Sequence, residues 1–258
     1  MMATAVHLRS TNSSVRMTVE IIWRLTIMII DGYSLYYIQN YRIFPPNISP
    51  KPFGRWKYLT NINLAIQFIL FTLMSIESIW NRDRKTFQTN KKLSSSLSPS
   101  SFLTKMTSFL FYSLAFPVAM FVTISFWSIW SIDRELIFPK ILDKYYPFWL
   151  NQTAHTLVAI AVLIELMLAR WTPPAKQSYG LVLINLFSYS YGALVLYIAI
   201  AHNVWVYPFI SKLDWPQRIG FAVAFGLLNS LLYRLAIEFN RRFSTDRLQC
   251  QSTASKKR

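Results

Sequence analysis

The sequence predicts an all-α fold, a polytopic bundle of six transmembrane helices with both termini in the cytoplasm. Three observations carry this. Only 15% of the 258 residues are charged and 53% are hydrophobic, with a mean hydropathy of +0.29, whereas soluble domains spend about 25% of their residues on charge. Six stretches, 19–38, 58–80, 106–131, 149–169, 179–201 and 217–238, approach the 20 or so apolar residues that a helix needs to cross a bilayer. Lys and Arg outside these stretches are unevenly placed: 16 fall in the amino terminus, the connections after spans two and four and the carboxyl tail, against 8 in the opposite loops. By the positive-inside rule, the richer side is cytoplasmic.

Residues 1–18 are polar and rich in Ser, Thr and Asn, which favours a disordered start. The first apolar run is too long for a cleavable signal and lacks a small-residue cleavage site, so it is expected to remain as an anchor. It is also the weakest span, holding Glu20, Arg24 and Asp31. Without it five spans would remain, and the termini would lie on opposite sides. Its end carries Tyr33, Tyr36, Tyr37 and Tyr41, the composition of an interfacial belt. Four prolines in 42–57 exclude a helix there. Asn47 and Ser49 form a glycosylation sequon, but Pro50 and the nearby membrane favour an unused match.

Span two opens with WKYLTNINLAIQFILF. Thr60, Asn63 and Gln67 share one helical face, making a polar stripe at one end of the span. Interhelical hydrogen bonding is the commoner use of such residues in membranes. The connection 81–105 is basic and serine-rich, as expected of a solvated linker. Span three carries Pro117 among aromatic residues. Span four follows a charged, proline-broken loop and has Asn151 and His155 at i, i+4, hence on one face. Span five ends near His202, before the interfacial residues Trp205, Tyr207 and Pro208. Span six leads into a basic tail, 241–258, expected to be drawn to anionic lipid.

Composition also limits the chemistry. A net charge of +16 raises nucleic acid as a partner, but the cations sit between apolar runs rather than on one amphipathic face, so no nucleic-acid binding is expected. The single cysteine, Cys250, precludes an intrachain disulfide. With only His7, His155 and His202, and no paired-histidine motif, no metal is expected. The six scattered glycines form no phosphate loop, and no cofactor is expected.

An imidazole near the mouth of an apolar helix costs desolvation energy unless it has a partner or a function, which makes His155 the residue to explain. Spans two and four enter the bilayer from the same side. At 1.5 Å per residue, Thr60 and His155 both lie roughly 6 to 10 Å below that face. A threonine hydroxyl becomes a useful nucleophile only beside a base, so the two residues are a candidate acyl-transfer pair. Asn63, Gln67 and Asn151 are candidate oxyanion donors or site-lining groups. Asp133, Glu135 and Asp143 are on the right side to orient His155 only if their loop folds back; otherwise they balance Arg134, Lys140 and Lys144.

The segments GRWKYLTNINLAIQ (54–67), FPVAMFV (116–122), DRELIFPKILDKYYPFWLN (133–151), HT (155–156) and WVYPF (205–209) resemble the androgen-induced gene and androgen-dependent TFPI-regulating protein family. The resemblance runs from about Phe53 to Asn240. It implies a multi-pass membrane hydrolase of branched fatty acid esters of hydroxy fatty acids, working with a threonine and a histidine. The family's threonine in W-K-x-L-T falls on Thr60, and the second histidine of N-H-x-x-H-T falls on His155. The first histidine of that motif is replaced by Gln152, a departure that bears on positioning or substrate preference more than on activity.

The expected organisation is a disordered 1–18, a six-span hydrolase domain over 19–240 and a cytoplasmic tail over 241–258. The expected partners are a lipid substrate and the membrane, either the endoplasmic reticulum or the plasma membrane. The competing expectation is a non-enzymatic lipid-binding or transport protein whose polar face lines a path across the bilayer. A transporter requires polar groups through both membrane halves and internal repeats, and no repeat is visible.

Overall fold

The computed structural model describes residues 2–45, 52–87, 99–168, 173–174 and 176–256, and side chains over 15–45, 52–80, 102–168, 173–174 and 176–242. Asn47, Ser49 and most of the serine-rich connection lie outside the described residues. The described elements are α1 (Met2–Asn40), α2 (Leu59–Phe87), α3 (Pro99–Leu110), α4 (Phe116–Ile132), α5 (Phe148–Gln152), α6 (Val158–Leu168), α7 (Gln177–His202), α8 (Pro208–Ser211) and α9 (Trp215–Lys256), with no strand among them. Six helical segments are long and apolar enough to span a membrane: Val15–Asn40, Leu59–Trp80, Phe102–Ile132, Phe148–Leu168, Gln177–His202 and Trp215–Arg242. They match the six apolar stretches in number and order. Helix α1 begins well before residue 19 and α9 runs on past residue 240. No proline or glycine interrupts α1 before Gly32.

The charges of the first span are accommodated by pairing. Arg24 Nη2 lies 2.6 Å from Glu165 Oε1 on α6, with both side chains buried. The same guanidinium also donates to the Ser78 hydroxyl on α2. One cation thus ties three helices together in a medium where an unpaired charge would be costly. Nearby, Glu77 accepts hydrogen bonds from Thr104 (2.5 Å) and Thr107 (3.0 Å) on α3.

Two helices are locally widened. Phe111–Ala115 is a π turn closed by the Phe116 N–H on the Phe111 carbonyl. Pro117 follows at once; it has no N–H, and its ring would clash with the carbonyl four residues back, so the extra residue in the turn relieves both problems. The second π turn, Thr153–Leu157, joins α5 to α6 and carries His155. At the membrane boundary, the Tyr37 and Trp149 rings meet edge to face at 5.2 Å and fasten the end of α1 to α5. Helices α7 and α9 approach closely at Gly226, where a Cβ would fall 2.6 Å from the Tyr189 hydroxyl.

Candidate active site

Thr60 occupies the second position of α2. Its place is fixed by what holds the start of that helix, where backbone N–H groups lack intrahelical partners. The Leu59 N–H donates to the hydroxyls of Tyr191 (2.9 Å) and Tyr207 (3.0 Å). Tyr191 in turn donates to the Lys57 carbonyl at 2.9 Å. With its hydrogen used there, Tyr191 must accept from Tyr207, whose oxygen is 2.9 Å away. Burial raises the Tyr207 phenol above its ordinary pKa, against the opposing effect of its hydrogen bonds with Tyr191 and the Leu59 N–H, so the phenol stays protonated. Neither tyrosine was singled out for the site from the sequence, although Tyr207 lies in the WVYPF segment.

His155 Nε2 faces Thr60 Oγ1 at 3.2 Å. Its Nδ1 lies 3.1 Å from the backbone oxygen and 2.8 Å from Oδ1 of Asn151. A backbone carbonyl only accepts, so Nδ1 carries the proton and Nε2 presents its lone pair to the threonine hydroxyl. This is the tautomer that a general base needs. The separation is at the long end of hydrogen bonding. The imidazole lies flat on Phe126, with centroids 3.6 Å apart and planes 13° apart. The Trp127 indole N–H donates to the His155 carbonyl (3.2 Å) and to Thr156 Oγ1 (3.1 Å). The π turn therefore has its side chains held from α4 on one side and its histidine aimed at α2 on the other.

Thr60 and His155 both line an apolar cleft with an empty volume of about 1260 Å³, part of it open to the exterior. The wall includes Phe121, Phe126 and Phe225. The candidate oxyanion donors lie elsewhere, for none of Asn63, Gln67 and Asn151 lines the cleft. Gln67 Nε2 is committed to the Val158 carbonyl at 3.1 Å, which is interhelical bonding of the ordinary membrane kind. Asn63 is fully buried, and its amide atoms have no partner among the described residues. Asn151 is buried behind the imidazole and orients it. The loop carboxylates do not reach the histidine: Asp143 pairs with Arg134 at 2.6 Å, Asp133 accepts from the Glu135 N–H and Glu135 from the Lys140 N–H.

The family model for FAR-17a/AIG1-like proteins matches residues 19–241. The chain belongs to the FAR-17a/AIG1-like family. It is similar to the human androgen-induced gene 1 protein, at 34% identity over 72% of this chain and 76% of that protein. It is also similar to the human androgen-dependent TFPI-regulating protein, at 34% identity over 67% of this chain and 69% of that one, and to the Mesocricetus auratus protein of the same name, at 33% over 72% and 76%. No solved structure matches the chain. The FAR-17a/AIG1-like match reaches into all six spans and includes both Thr60 and His155. Gln152, where the resemblance leads one to expect histidine, accepts from Thr156 Oγ1 at 2.9 Å. It supports the π turn from behind and has no hydrogen bond with His155.

Proposed function

We propose that this membrane protein is a carboxylic ester hydrolase acting on fatty acid esters of hydroxy fatty acids, with Thr60 as nucleophile and His155 as general base. The observation that carries the reading is the contact of Thr60 Oγ1 with the unprotonated Nε2 of His155 on the wall of an apolar cleft. In the first half-reaction the Thr60 proton passes to Nε2 while Oγ1 adds to the ester carbonyl. On collapse, the bond to the hydroxy fatty acid breaks, its oxygen takes the proton from Nε2, and the acyl group remains on Thr60. Water then gives a proton to Nε2 and adds to the acyl carbonyl, and the collapsing intermediate returns that proton to Thr60. Asn151 keeps the ring aligned throughout, the part an asparagine plays in Cys-His-Asn hydrolases. The positive end of α2 lies at the nucleophile, where it favours the developing oxyanion.

The transport alternative has one observation on its side, since buried polar groups also occur in the other membrane half, at Arg24, Glu77 and Glu165. They form a lock between helices, and none lines the cleft. The proposed setting is the endoplasmic reticulum or plasma membrane, with both termini cytoplasmic. A fluorophosphonate probe tests the reading directly: it labels the wild-type protein and fails to label Thr60→Ala at equal expression. Equal labelling of the two proteins rules out Thr60 as nucleophile.

A further inference from the structure

We propose that Arg218 anchors the free carboxylate of the lipid held in the cleft, so that it selects acidic lipids over their neutral esters. This inference rests on the hydrolase reading and names the group that orients its substrate. Among the described residues, Arg218 is the only Lys or Arg lining the cleft, and no Asp or Glu lines it. A single cation in an otherwise apolar enclosure is suited to an amphiphile with one negative charge, because an apolar wall strengthens the pairing that water would screen.

The side chain is held in place for that task. Its guanidinium lies over the Trp205 ring at 4.1 Å and the Trp215 ring at 5.0 Å. Nε donates to the Ile210 carbonyl at 3.2 Å and Nη2 to the Ser211 carbonyl at 3.4 Å. These contacts fix the plane of the group and leave Nη1 without a protein acceptor among the described residues. Arg218 makes no ion pair with any described carboxylate. Asp214, one turn earlier, is engaged in capping α9: its Oδ1 accepts the Gln217 N–H at 2.8 Å, and its own N–H donates to Gln217 Oε1 at 3.0 Å. A preorganised guanidinium without an acid is a binding site for a planar anion, and a carboxylate matches its geometry.

Position agrees with chemistry. Arg218 sits in the first turn of α9 and Thr60 in the first turn of α2; the segment between α7 and α9 bridges them, Tyr207 accepting the Leu59 N–H and Phe209 packing edge to face on Phe221 of α9. A carboxylate on Arg218 places the head group at the membrane boundary and directs the chain inward past Thr60 and His155. The ester carbonyl then lies along the chain rather than at its head, as in a branched ester of a hydroxy fatty acid.

The test compares one fatty acid ester of a hydroxy fatty acid, as the free acid and as its methyl ester, on the full chain in nanodiscs. Wild-type protein is expected to prefer the acid by about tenfold or more in kcat/KM, mostly through KM. Arg218→Gln brings the ratio close to one, and Arg218→Lys, which keeps the charge without the fork, falls between. An unchanged ratio in Arg218→Gln overturns the assignment. Binding separates this failure from failure of the hydrolase reading: His155→Ala protein should retain a fluorescent long-chain fatty acid in preference to its methyl ester and lose that preference when Arg218→Gln is added. This result supports the anchor even if the wild type hydrolyses nothing. Equal binding of acid and methyl ester by His155→Ala protein, or tighter binding of a single-chain phosphate lipid than of the fatty acid, overturns the carboxylate.

Discussion

Asn151 Oδ1 lies 2.8 Å from His155 Nδ1, on the side of the ring opposite Thr60. The imidazole is therefore held between an acceptor that fixes its proton and a hydroxyl that can give one up. Because the Asn151 backbone oxygen is also within 3.1 Å, loss of the side chain leaves the tautomer intact and removes only part of the alignment. Asn151→Ala is expected to lower kcat by roughly tenfold, the worth of one hydrogen bond of about 1 to 1.5 kcal/mol, with little change in KM. Steady-state kinetics of the purified variant checks this. A loss as large as that of His155→Ala would mean that the side chain, rather than the backbone oxygen, sets the tautomer.

Gln152 is bonded to Thr156 and not to the His155 imidazole. Gln152→His supplies a ring nitrogen that can accept from the same hydroxyl. Its ester hydrolysis is expected to stay within about fivefold of wild type, the scale of a single altered hydrogen bond. Complete loss of activity in a protein with a normal melting curve would contradict this placement of residue 152.

The six spans were legible from spacing, and the pairing of Thr60 with His155 from spacing together with the family resemblance. Apolar runs count out the membrane thickness, and equal depth from one face brings two helical positions level. Less was legible where the fold departs from ideal helices or from local sequence. Asn151 and His155 share a face, but the spacing shows neither the widened turn at Thr153–Leu157 that carries His155 nor the contact of Asn151 Oδ1 with its ring. Tyr191 and Tyr207 cap α2 from 132 and 148 residues away, a distance over which no local pattern carries information. The polar stripe of span two was one face in sequence and is divided in space: Thr60 reaches the cleft, whereas Gln67 binds a neighbouring helix.

The buried pair of Arg24 and Glu165 gives a stability prediction. Removing one partner leaves an uncompensated charge among helices, so Glu165→Leu is expected to cost about 3 to 5 kcal/mol, while Arg24→Met combined with Glu165→Leu recovers most of the loss. Thermal melting of the detergent-solubilised variants reads the difference. A double variant no more stable than the single one would show that the ties from Arg24 to α2, rather than the ion pair, carry the effect.

The proposed orientation, both termini cytoplasmic, rests on six crossings and the excess of Lys and Arg on one side. Tags at the two ends are expected to be reachable together after selective permeabilisation of the plasma membrane, and an engineered cysteine at Lys212 only after full permeabilisation when the protein resides in an internal membrane. Tags found on opposite sides would remove one crossing and overturn the six-span topology.

The proposed pair of Thr60 and His155 makes the sharpest prediction. Residues that act as one unit are non-additive, so Thr60→Ala and His155→Ala should each reduce turnover to nearly the same residual level, and the double variant should be scarcely worse. Thr60→Ser separates chemistry from packing, because it keeps the hydroxyl 3.2 Å from Nε2 and removes only a methyl group. Retained activity in Thr60→Ser with none in Thr60→Ala identifies the hydroxyl as the reacting group. As interhelical glue, Thr60 would be worth only about 1 kcal/mol, so the Thr60 variants should insert and melt close to the wild type. Ester turnover near the wild-type level in a well-folded Thr60→Ala protein would return Thr60 to a purely structural role, leaving its contact with His155 as one more bond between two membrane helices.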